Sequence, residues 1–403
     1  MRRLLTPSTS VPLVIIASVM AMVVSANIKE GRRDRRLALS RGERALGAAG
    51  APSTTREGLA KRITEMEARV AAQPDDVRAA VLLADALIRQ TRVTGNAGLT
   101  QQAERVLKNA LREDPGNYDA LRMEGSLYLS QHRFAEAVIV AERCRAMRPE
   151  DSVNYGVLGD AHLELGDYDE AFDAFDRMMQ LRPGPGSYAR VAYARELQGN
   201  VEGALQAMRL AADASEGGDV EAIAWYHAQV GELLLKLEKP GDAMREFATA
   251  STAFPGHPVA VVGYAKALET VGKRSEARAL LEDLVHKSPT PDVHARLGDL
   301  LAAEGRVKDA ERQYALAEAA WRSDAPEPKN LARFLADRGE KLDEAVAIAE
   351  GAAKVRHDVF TEDALAWAYF KAGRIDQARR TIRLALRTGA RDREILRHAK
   401  VIG

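Results

Sequence analysis

The sequence predicts an all-α fold, a solenoid of stacked helix pairs, and three observations predict it. Proline recurs with a step of 34 residues at Pro115, Pro149 and Pro183, and again at Pro255 and Pro289. Small residues keep the same phase at Gly125, Gly159, Gly231, Ala265, Gly298 and Ala366, and twelve residues later at Ala137, Ala171, Ala243, Ala277, Ala310 and Ala378. The length, 403 residues, exceeds what one ordinary core accommodates, since single cores stop growing beyond about 250–300 residues. An array in which each unit packs only on its neighbours has no such limit.

The chain opens with Arg2 and Arg3, before an apolar run from Val11 to Val24 interrupted only by Ser18. A basic start before an apolar stretch is the layout of a secretory signal, and Val24-Ser25-Ala26 offers a cleavage site that would make residues 1–26 the signal. The alternative is an uncleaved anchor over residues 11–28, just long enough to span a bilayer. Both readings place the remainder of the chain outside the cytoplasmic membrane: exported, periplasmic or extracytoplasmic. Residues 27–56 form a basic, flexible linker, with Lys29, Arg32, Arg33, Arg35, Arg36, Arg41 and Arg44 against Glu30, Asp34 and Glu43. Its last part, Gly47 to Thr55, is rich in small and polar residues, as flexible spacers are.

The solenoid occupies 57–403, with about nine units over 76–391 and capping helices at 57–73 and 392–402. Each unit is a helix A and a helix B meeting at the two small slots, where a larger side chain would force them apart at about 1–3 kcal/mol. Larger residues such as Leu158, Phe175, Phe247, Leu281 and Tyr314 fill the other inner slots. Gly166, Gly199, Gly272, Gly305 and Gly373 end helix A with a left-handed turn, and the prolines close helix B. Ala84 to Ala103 is longer than the other slot intervals by seven residues, which predicts a protruding loop around Thr94–Gly98.

Tyr155-Gly-Val-Leu-Gly159, Tyr168-Asp-Glu-Ala171, Phe175 and Pro183 carry a resemblance to the tetratricopeptide-repeat (TPR) family, whose period is about 34 residues. The resemblance covers most of the chain. It implies a right-handed superhelix of antiparallel helix pairs, a concave groove lined by the A helices, and a non-enzymatic role in holding a protein or peptide partner. The stretch from Asp363 through Trp367 and Gly373 to His398 further resembles the ending of exported bacterial TPR proteins.

Little else in the sequence points to chemistry. No HExxH, GxxxxGK[ST] or GxSxG occurs, so the common metalloprotease, nucleotide and serine-hydrolase patterns are absent. No catalytic residue, cofactor or metal site is assigned. Lys plus Arg equals Asp plus Glu at 58 each, which gives no general attraction to nucleic acid. The single cysteine, Cys144, reads as a small buried residue. His162, His227 and His294 read as helix-face residues, while His257, His286 and His357 fall at repeat boundaries and read as solvated. A role in metal or cofactor handling through these histidines is the alternative function.

The slots that line a TPR groove give Asp160, Glu164, Tyr193, Glu196, Trp225, Glu232, Lys236 and Trp367 as the partner-binding set, with Lys266, Glu269, Asp299, Phe334 and Asp337 further along. Four carboxylates face Lys236 alone through repeats 3 to 5. Together with Tyr193 and Trp225, they predict a ligand carrying Lys or Arg near an apolar or aromatic residue.

Overall fold

The computed structural model describes residues 56–403 apart from 95, 97, 218 and 324–326. The expected signal or anchor, and the linker up to residue 55, lie outside the described residues. Among the described residues there are twenty helices and no strand, and no helix is long and apolar enough to cross a membrane.

Helix α1 (Arg56–Ala72) packs on the first of nine helix pairs. These are α2 (Val77–Thr94) with α3 (Gly98–Glu113), α4 (Tyr118–Ser130) with α5 (Phe134–Met147), and α6 (Ser152–Leu165) with α7 (Tyr168–Leu181). The middle pairs are α8 (Pro185–Leu197) with α9 (Val201–Ser215), α10 (Val220–Lys236) with α11 (Pro240–Ala253), and α12 (Pro258–Thr270) with α13 (Arg274–Lys287). The last are α14 (Pro291–Ala303) with α15 (Val307–Ser323), α16 (Pro328–Arg338) with α17 (Leu342–Ala353), and α18 (Val359–Lys371) with α19 (Ile375–Ala385). Helix α20 (Arg393–Ile402) packs on α18 and α19.

Local chemistry sets these boundaries. Asn117, Asp151, Asp219, Thr290, Asp358 and Asp392 each accept a backbone N–H at the start of a helix, an interaction worth about 1 kcal/mol. The five glycines expected to end helix A have φ between +75° and +92°, where other residues are strained. Part of the seven-residue insertion is helical, while residues 95 and 97 of the expected loop lie outside the described residues. The helical part lengthens α2 and α3 to 18 and 16 residues, against 14 each for α6 and α7, because extending a helix satisfies backbone groups that a loop would leave to solvent.

The two small slots do face each other, but the stricter constraint comes from an aromatic ring sixteen residues after the glycine. A Cβ on Gly231 would stand 2.6 Å from the Phe247 ring, and one on Gly298 would stand 2.5 Å from Tyr314. Gly159 stands in the same relation to Phe175. Where the first slot is Ala, as at Ala192, Ala265 and Ala366, the partner is the slimmer Met208, Leu281 or Ile382. Slot size and partner size are thus complementary in these units, as close packing demands; in repeat 2, where Ala141 stands sixteen residues after Gly125, Val157 and Val140 face the glycine instead.

The array is not a chain of nearest-neighbour contacts alone. It coils until the A–B turns of repeats 2 to 4 meet junctions five repeats later. His132 lies 2.5 Å from Glu327. The amide of His357 donates to the Leu165 carbonyl at 2.9 Å, and that of Val359 donates to the Tyr168 hydroxyl, also at 2.9 Å. Gly166, besides its φ of +92°, leaves room for the His357 carbonyl, which a Cβ would approach to 2.5 Å. Leu163, Phe175 and Leu197 consequently share one apolar core with Leu331, Val359 and Leu365. Repeat 1 makes a shorter return, through Arg89–Asp219 at 2.7 Å and Arg92–Glu221 at 3.0 Å.

Candidate partner-binding groove

Helices α6, α8 and α10 carry the residues that the slot pattern selects, and the structure gives nearly every charge among them a partner. Asp160 receives the Nε and Nη2 of Arg190 at 2.8 and 2.5 Å. Glu164 pairs with Arg356, and Glu196 pairs with Lys236. Glu232 meets Lys266 at 3.1 Å, and Lys236 also approaches Asp392 at 3.7 Å. The four carboxylates therefore do not face Lys236 alone. Arg356 arrives from a repeat whose return to this place no local spacing announces.

The aromatic members separate. Tyr193 lines a cavity of about 370 Å³ with Leu129, Leu163, Leu197 and Phe360. Burial, followed by the charges of Glu164, Glu196 and Asp358, pushes its phenol well above the ordinary value. Burial also pushes up the Glu164 carboxyl, in spite of Lys329 and Arg356. Trp225 is half-buried, edge-on to Tyr226 with ring centroids 5.2 Å apart. Trp367 is only 6% exposed, because α20 covers it. Its ring stacks on His398 at 4.0 Å, and its Nε1–H donates to Asp337 at 2.8 Å. His398 is fully buried, with Nδ1 2.9 Å from Asp363. The Asp363–His398 stretch thus builds a packed C-terminal lock and keeps Trp367 from a partner's reach.

Further along the coil, α10, α12, α14, α16 and α20 enclose an open channel of about 1090 Å³. Glu232, Lys236, Lys266 and Glu269 line one part of it, and Asp292, Asp299, Tyr314, Phe334 and Arg338 line another. Asp299 accepts the Tyr314 hydroxyl at 3.0 Å. Among the described residues, neither Asp292 nor Asp299 forms an ion pair. Both side chains are exposed to the channel, whose walls nevertheless raise both carboxyls through desolvation, with Arg333 opposing at Asp292 and Tyr314 opposing at Asp299. The slot pattern reached Asp299 and Phe334. It missed Asp292, which lies in the first turn of α14.

The histidines are mostly satisfied in pairs. His227 meets Glu246 and His294 meets Gln313, each at 2.8 Å and across the same 19-residue interval. His286 and His357 are exposed as expected. His257 is not solvated: it is 4% exposed, packed on Phe254 and 3.8 Å from Glu221. The return of repeat 1 onto α10 brings Arg92 to Glu221 and helps close this junction. Burial alone would raise the Glu221 carboxyl, but His257 and Arg92 outweigh it and hold it at about 2. Among the described residues, no group of three or more His, Cys, Asp or Glu is placed to hold a metal ion. Cys144 is 1% exposed, and burial pushes its thiol up to about 11, which leaves almost no thiolate at neutral pH.

Two family models, each described as a tetratricopeptide repeat, match the chain, one over 97–158 and 234–297 and the other over 157–219. No curated protein has a matching sequence. Among solved structures, the chain is similar to one in the APC/C hetero-tetramer Cut9–Hcn1, with TM-score 0.51 and 14% identity. That likeness covers 87% of this chain, which spans 60% of the length of the other. It is also similar to the human IFIT1 dimer solved with m7Gppp-AAAA, with TM-score 0.54 and 13% identity over 90% of this chain and 88% of that one. At such identities the likeness concerns the fold. The matched repeats, the nine helix pairs and the complementary slots agree on one conclusion: the chain is a tetratricopeptide-repeat protein.

Proposed function

We propose that the chain is a non-enzymatic scaffold that holds an extended segment of a partner protein along the channel of repeats 5 to 8. The observation that carries this reading is the channel itself, large enough for several side chains and flanked by two carboxylates with no ion pair among the described residues. Beside them the half-buried Tyr314 ring packs on the buried Phe334, with centroids 5.8 Å apart, and lies under the Arg338 guanidinium at 4.5 Å. A segment with Lys or Arg next to an apolar residue matches this wall: its cation meets Asp292 or Asp299, and its apolar neighbour lies along the edge of Tyr314.

Partners recovered by affinity capture from gently solubilised membranes supply the test. Asp292→Lys with Asp299→Lys should weaken a genuine groove partner at least about tenfold, or ~1.4 kcal/mol, and should flatten the salt dependence of its association. A partner whose affinity ignores both changes binds elsewhere, and the reading fails.

The basic start and apolar Val11–Val24 run support placing this scaffold outside the cytoplasmic membrane, after signal cleavage or as an anchored protein. A reporter enzyme active only after export, fused after Gly58 or at Gly403, should be active. Inactivity at both positions would put the repeats in the cytoplasm.

A further inference from the structure

The groove of repeats 2 to 4 already has an occupant, the chain's own junction between repeats 8 and 9. Arg356 turns its guanidinium to Glu164 in the groove and to Glu327 at 2.8 Å. Four residues on, Phe360 lines the same cavity as Leu163, Tyr193 and Leu197. Between these two anchors the backbone docks through the amides of His357 and Val359. One charged anchor, one apolar anchor and intervening main-chain hydrogen bonds are how an extended ligand is held.

The fit is nevertheless incomplete. The cavity between the groove and its occupant is open to solvent, and about 370 Å³ of it is left unfilled by the occupant. The Glu164 carboxyl remains above its ordinary value, since burial outweighs its cations. An occupant that satisfies the groove only partly can be exchanged for one that satisfies it better.

We infer that residues 356–360 act as an intramolecular ligand, and that a partner protein bearing the same pattern competes for the groove. That pattern is a basic residue and, four positions later, an aromatic one. The partner displaces repeats 8 and 9 from repeats 2 to 4 and opens the coil. The site is separate from the channel of repeats 5 to 8, so the two readings stand or fall independently.

The probe is a labelled peptide with the sequence of residues 354–362, Lys-Val-Arg-His-Asp-Val-Phe-Thr-Glu, titrated against the full chain. A closed population lowers apparent affinity by the fraction that is open. The Arg356→Ala chain should therefore take the peptide at least about tenfold more tightly than wild type, and a peptide carrying the same Arg→Ala change should not bind. Should Arg356→Ala unfold the last repeats, Phe360→Ala serves instead. It removes the chain's own apolar anchor, leaves every groove residue in place, and should raise both hydrogen exchange at Val359 and affinity for the peptide. Equal affinity of wild type and variant for the peptide, or unchanged exchange at Val359 in Phe360→Ala, overturns the inference and leaves the contact a fixed part of the fold.

Discussion

Arg356→Ala should lower the unfolding free energy by about 3–5 kcal/mol, the cost typical of removing one partner from a buried ion cluster. Three carboxylates converge on this guanidinium, those of Glu164, Glu327 at 2.8 Å and Asp358 at 3.3 Å, and its side chain is only 8% exposed. Lys329, 3.1 Å from Glu327 and 3.5 Å from Asp358, cannot balance all three alone. The loss should show in urea as a lower midpoint, with repeats 8 and 9 losing exchange protection first. A wild-type midpoint would remove the cluster from any account of how the coil closes.

Acid should act on the same cluster. Burial by itself would raise the Glu327 carboxyl, but His132, Lys329 and Arg356 outweigh it and hold it well below the ordinary value of 4.5. A depressed carboxylate contributes stability that is complete above its unfolded value and is lost as pH falls through its folded one. Glu164, raised above 4.5 by burial, has the opposite sign, since its protonation favours the folded state. Within this cluster Glu327 should therefore outweigh Glu164 below about pH 4.5, and Glu221, also depressed, adds a decline of the same sign.

Phe247→Ala should also cost about 3–5 kcal/mol, the range for an aromatic truncated in a packed core. The ring is fully buried between Gly231 and Gly263, so its removal leaves a gap with no side chain on either flank able to enter. The array itself supplies the compensation. Ala265 with Leu281, in the next unit, shows that a methyl on the glycine side matches a smaller partner. Phe247→Leu combined with Gly231→Ala should thus be more stable than either single change, measured as a positive coupling in a double-mutant cycle. Strict additivity would mean that ring and glycine do not constrain one another.

The repeat made the helix pairs readable, because each slot is sampled many times in one chain. A glycine at Gly159 alone says little; glycine or alanine at six in-phase positions specifies a closest approach. The same logic explains what stayed hidden. Arg356 and Glu164 are 192 residues apart, and their meeting depends on the accumulated rotation of five repeats, which no periodic residue encodes. Trp367 occupies a groove slot correctly, yet a later helix covers it, so slot reading found its direction but not its burial. The His257 junction escaped notice for a related reason, since it is closed by a helix from four repeats earlier.

The coil's return has a consequence for the order of events during synthesis. Repeats 2 to 4 leave the ribosome long before the residues that will cover them, and the Arg356–Glu164 pair spans 192 positions. At about 5–20 residues per second, the groove waits roughly 10–40 s for its cover. During that interval Leu163, Tyr193 and Leu197 face whatever chains are nearby. A partner made at the same time meets the groove open, while one that arrives later must first displace the chain's own last repeats.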